Sequence, residues 1–255
     1  MLARLLTFTV VRTPATQAGF FFTLQCIFRS GPHRAVMAGC TAVSIALATV
    51  FLVAGRSTAS GLESVPLSVL ATQTVALAVL LSGFRHLIRL PADTRANRLF
   101  RTAWIADSGR FLAGVRRGGF AGIILPAVLL LLPPHLYLLG TRLAVLHAVS
   151  GLLLGAALIS LITLRMNQLP FVASYAPASD LNTVGPVVLI GGLIAISMVS
   201  RAERFALGDL AFTVIFWCVP AAMLLTPALL GRNMALDLPS AFDVPAAGTT
   251  RLDLG

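Results

Sequence analysis

The sequence contains no lysine: all 19 of its basic residues are arginine, a bias that a GC-rich bacterial genome produces without any functional cause. Charge of either sign is scarce. Only 11% of the 255 residues are charged, where a soluble domain carries about 25%, so a soluble globular protein is excluded. Cysteine is scarce too. Cys26, Cys40 and Cys218 lie far apart in apolar surroundings with no CxxC spacing, which excludes a disulfide framework and a thiolate metal site. No GxSxG, HExxH or Walker motif is found, so no catalytic residue, cofactor or metal is expected. The apolar runs are continuous rather than alternating, which argues against a β-barrel.

What is present is hydrophobicity: 57% of residues are apolar and the mean hydropathy is +0.91. Several runs approach the ~20 residues needed to span a bilayer. In lipid the backbone must satisfy itself, so these runs are expected to be helices. The reading is an all-α integral membrane protein with an interfacial N-terminal segment (1–34), a six-helix transmembrane domain (35–230) and an irregular tail (231–255). The six spans are 36–55, 65–84, 118–139, 143–164, 184–200 and 210–230. The apolar run 5–11 is shorter than a span and is stopped by Arg12, so no cleaved signal peptide is expected.

Arginine placement orients the bundle. The connector 85–117 holds eight arginines against Asp93 and Asp107. Counting alternate sides, 15 arginines fall with the two termini and this connector, and 4 fall opposite. Basic residues stay on the cytoplasmic side, so both termini are expected there, in a bacterial inner membrane. The net charge of +10 lies beside the spans. It points to anionic lipid and not to nucleic acid.

Within the connector, Ala96, Leu99, Phe100, Ala103 and Trp104 recur at helical spacing, with Arg95, Arg98 and Arg101 mostly on the other side. A basic amphipathic cytoplasmic helix between spans 2 and 3 is expected, contacting lipid or a partner protein through Arg95, Arg98, Leu99, Phe100, Arg101 and Trp104. A second stretch, NQLPFVASYAPASDLN, follows span 4. Pro170, Phe171, Ser174, Tyr175 and Asp180 make it a possible binding loop, or a tight connector anchored by its aromatic residues. Gly114, Gly118 and Gly122, and likewise Gly151 and Gly155, repeat every four residues. Such faces let helices pack closely, within the chain or in a homodimer.

No apolar run contains an internal carboxylate, and His135 and His147 fall near the outer ends of spans 3 and 4. Ion-coupled carriers usually place an ionisable group inside the membrane. A carrier of that kind is therefore not the first expectation.

The layout, with the stretches RLPADTRANRLFR and QLPFVASYAP, is similar to uncharacterised bacterial multi-span membrane proteins. It also resembles the membrane subunit of ABC-2-type exporters. That resemblance implies a permease-type, non-enzymatic subunit whose 93–104 segment is a coupling helix touching a separate cytoplasmic ATPase. The alternatives are a non-transporting scaffold or assembly protein, and an intramembrane lipid-modifying enzyme using Ser174, Tyr175, Asp180 and His86.

Overall fold

The computed structural model describes residues 13–58, 65–90, 108–164, 170–171 and 181–230. Every secondary-structure element there is helical: α1 (Pro14–Arg29), α2 (Gly31–Thr58), α3 (Leu67–Leu87), α4 (Ser108–Gly119), a π-helical segment (Phe120–Ile124), α5 (Leu125–Leu164), α6 (Leu181–Ala206) and α7 (Leu210–Leu230). By length and composition, three helices among the described residues can cross a membrane: Gly31–Gly55, Leu67–Leu87 and Gly109–Leu164. Leu210–Thr226 is apolar but shorter. Large apolar side chains such as Val50, Val53, Leu130, Ile215 and Val219 stand exposed on the outside. A protein in water would bury them; a bilayer solvates them. The chain is that of a membrane protein with transmembrane helices.

The longest of these stretches is not a rod. Gly140 has φ +76° and ψ 165°, a backbone state that L side chains avoid, and nothing crowds it within 4 Å. Glycine is needed there for its backbone freedom alone. The chain reverses at this point. In a straight helix His135 and His147 would be about 18 Å apart, yet their rings meet at 4.7 Å. A Cβ on Gly155 would touch Ile124 at 2.7 Å, so the two arms run back to back along their length.

The helix leading into the first arm starts at Ser108, ten residues before the expected boundary at 118, and takes Arg110, Arg116 and Arg117 into α4. Its partner is α1. Thr13 caps α1, its Oγ1 accepting from the Thr16 N–H at 3.4 Å with Pro14 in the first turn. Thr16, Gly19, Phe20, Thr23, Cys26 and Ile27 then form one buried stripe. This stripe lies along Gly114, Gly118 and Gly122. A Cβ on Gly114 would strike the Thr16 carbonyl and approach Gly19 Cα at 3.0 Å; one on Gly118 would meet Thr23 at 2.9 Å. Residues 14–29 of the N-terminal segment thus form a helix with its own packed face, and Ser30 breaks it from α2.

The π-helical segment sits just before Pro126. Leu125 N–H bonds back to Phe120 O across five residues. Proline has no N–H and its ring clashes with the carbonyl four residues back, here that of Gly122; the wider turn absorbs that clash.

At the centre stands α3, buried almost all round from Val69 to Leu77. Around it, α2, the α5 hairpin and α6 complete the bundle. The stretches 36–55, 118–139, 143–164, 184–200 and 210–230 lie in helices, and 65–84 is helical from Leu67 onward. The α6 helix continues past 200 to Ala206.

Candidate functional site: a buried histidine–glutamate cluster

Four elements bring polar side chains to one place inside this apolar bundle. The hairpin supplies His135 and His147, α6 supplies Glu203, α3 supplies Gln73, and α7 supplies Trp217. His147 Nδ1 and Glu203 Oε1 are 2.7 Å apart, with both side chains almost wholly buried. With Glu203 ionised, Nδ1 carries the proton and donates it to the carboxylate. The His135 ring stands edge-on to His147, at an interplanar angle of 81°.

The surrounding groups fix this geometry. Gln73 Nε2 donates to the His147 backbone carbonyl at 2.8 Å. It reaches that carbonyl only because residue 151 is glycine, since a Cβ there would run into the Gln73 amide. Trp217 Nε1 donates to Ser150 Oγ at 2.9 Å, and Ser150 Oγ donates to Leu146 O at 3.1 Å. Among the described residues, the buried His135 Nε2, His147 Nε2 and, one turn before Glu203 on α6, Ser200 Oγ have no hydrogen-bond partner. Buried polar atoms normally find one. The cluster therefore has spare hydrogen-bonding capacity on its two histidines.

The arrangement lies near one end of the bundle. His147 is about 10 Å below the hairpin turn at 1.5 Å per residue, and Glu203 is in the last turn of α6. Chemically it can hold a proton between a carboxylate and an imidazole. It can also offer an imidazole nitrogen to a hydrogen-bonding guest. Among the described residues, no group of three or more His, Cys, Asp or Glu is placed to hold a metal ion.

This corrects the reading of 201–209 as a connector: Glu203 is a buried residue of helix α6. With span 5 expected to end at 200, Glu203 falls between spans 5 and 6. The helix continues because nothing in RAERFA breaks it; the first breaker is Gly208. The true connector is Leu207, Gly208 and Asp209, and Asp209 Oδ1 caps α7 by accepting from Ala211 N–H at 2.8 Å. A helix read through to that glycine would have put Ser200 and Glu203, three residues apart, on one face.

The other candidate residues scatter. Arg95, Arg98, Leu99, Phe100, Arg101 and Trp104 lie outside the described residues, as do Ser174, Tyr175 and Asp180. His86 is exposed at the end of α3. Pro170 and Phe171 are buried, and Phe171 is part of the core. Its N–H donates to Ile88 O at 2.8 Å, and its ring packs on Phe22 and His33 at centroid distances of 5.3 and 5.8 Å. Gly114, Gly118 and Gly122 face α1, Gly151 faces Gln73, and Gly155 faces Ile124.

No protein-family model matches this chain, and no curated protein or solved structure matches it.

Proposed function

We propose that the chain is a permease-type membrane protein of a bacterial inner membrane, with six spans and both termini cytoplasmic. The count takes α2, α3, the two arms of the α5 hairpin, α6 and α7 as one crossing each. The arginine asymmetry of 15 to 4 supports the orientation.

The observation that carries a transport role is the buried His147–Glu203 pair with His135 beside it. Removing two charges from water costs several kcal/mol per ion. An ionisable group inside a membrane bundle marks a solute or proton path by default. In this reading the solute passes the cluster, and the pair gains or loses a proton as it does so. The ATPase-partnered form of the reading rests on the 93–104 connector alone.

The test is transport by the purified full chain in liposomes loaded with a pH-sensitive dye. Pools of small solutes are presented to the native protein, Glu203→Gln and His147→Gln. One pool should drive a solute-dependent pH change with the native chain and none with the variants. Silence from every pool, with no ATPase co-purifying from cells, overturns the permease reading.

A further inference from the structure

A groove of about 350 Å³ runs along the outside of the bundle, at a different place from the histidine–glutamate cluster. One wall is α2 from Arg34 to Ala48, and the other is the helix entering the hairpin, from Gly122 to Leu131. Leu80 and Ala76 of α3 form its floor. The hydroxyls on its α2 wall are satisfied within the protein: Thr41 donates to Met37 O at 2.8 Å and Ser44 to Ala76 O at 3.4 Å. The groove is therefore a dry, apolar trough.

Its charge is confined to one end. Arg34 stands exposed in the first turn of α2, where that helix enters the membrane. Arg29 ends the preceding helix and is also exposed. Among the described residues no carboxylate pairs with either arginine. From Arg34 to Ala48 the trough is about 21 Å long at 1.5 Å per residue. One leaflet of a bilayer has about 15 Å of hydrocarbon, half of its ~30 Å core. The trough thus spans a leaflet, with its cation at the headgroup level.

We propose that this groove is a binding site for one anionic phospholipid, with an acyl chain in the trough and the phosphate on Arg34. Length, apolar lining and the cation at one end together match that shape. Arginine binds phosphate with paired donors, so headgroup charge sets the preference and the trough sets the affinity.

Native mass spectrometry of the full chain from mild detergent tests the site, with phosphatidylglycerol and phosphatidylcholine of identical palmitoyl–oleoyl chains as probes. The native chain should retain one phosphatidylglycerol about tenfold more tightly than phosphatidylcholine, the size of one charge-assisted contact. Arg34→Gln should abolish the preference while still binding lipid. Ala38→Phe, at an exposed position in the trough, should reduce both lipids alike, and Ile45→Trp repeats that test should Ala38→Phe fail to fold. An unchanged preference in Arg34→Gln, or unchanged retention in a folded trough variant, overturns the proposal. So does a second copy of the chain, or another protein, found bound and released by the trough variants.

Discussion

Glu203 and His147 come from helices α6 and α5, are 56 residues apart in sequence, and share a hydrogen bond of 2.7 Å in the bundle interior. Neither has water to fall back on. Removing one partner leaves the other buried without its hydrogen-bond partner, which costs about 1–3 kcal/mol. Glu203→Leu and His147→Leu should each lower the unfolding midpoint in detergent markedly. The double variant should recover much of the loss, because two apolar side chains replace a matched polar pair. A double-mutant cycle on thermal unfolding checks this; additive losses would show that the pair does not act as a unit.

The contact between α1 and α4 is set by glycine against glycine. Gly114→Leu should push α1 off its seat, since its Cβ alone would meet the Thr16 carbonyl. Cys26 reports the event. Burial drives its thiol up to about 12, so below that pH it stays protonated and unreactive. In a background carrying Cys40→Ala and Cys218→Ala, maleimide labelling at pH 8 should be slow in the native sequence. Gly114→Leu should speed it at least tenfold, as exposure returns the thiol to its ordinary value near 8.5. Equal labelling rates would mean that α1 keeps its place.

Phe171 holds φ +66° while its ring is buried between Phe22 and His33. A bulky residue at positive φ pays about 1–2 kcal/mol for that conformation, and the buried ring offsets it. Phe171→Ala should cost about 3 kcal/mol, since it loses the ring and keeps most of the strain. Phe171→Gly loses the same contacts but relieves the strain, so its unfolding midpoint should exceed that of Phe171→Ala. The reverse order would show that the backbone at 171 is not strained.

The connector is tested by composition. Leu99→Glu, Phe100→Glu and Trp104→Glu together place three acidic groups on the apolar face of the expected 93–104 helix. A mild-detergent pull-down of the tagged native chain, read by mass spectrometry, should recover a P-loop ATPase that the triple variant loses. Recovery of neither would remove the ATPase from the proposed function and leave the connector as a lipid contact.

The helices were legible because their signals are local. Apolar runs of sufficient length stop at Arg56, Gly140 and Arg165, and the short Gly140–Thr141–Arg142 stretch announced the reversal. The cluster was not legible, for two reasons. Hydropathy falls at Arg201, and a span was ended where only the solvent preference changed; the helix itself runs to Ala206. The partners of His147 also depend on how α3, α6 and α7 are rotated about their axes. Helical periodicity sets rotation only where one face is polar, and α7 is apolar on almost every side. Gln73 is polar, but its target is a backbone carbonyl, which no side-chain pattern encodes. Gly19 carries no local signal, because its partner row begins 95 residues later, at Gly114.

The widened turn at Phe120–Ile124 holds one more residue than an α-helical turn would. Each residue of an α-helix advances the side chains by about 100°. The glycine row that seats α1 lies at or before this turn, and His135 lies beyond it. The two halves of the helix are therefore in phase across an inserted residue. Deleting one residue within 120–124 leaves both halves facing as they now do. Deleting one between the turn and His135 swings the imidazole about 100° away from His147. The span thus has one place where its length can change by a residue while its two faces stay aligned.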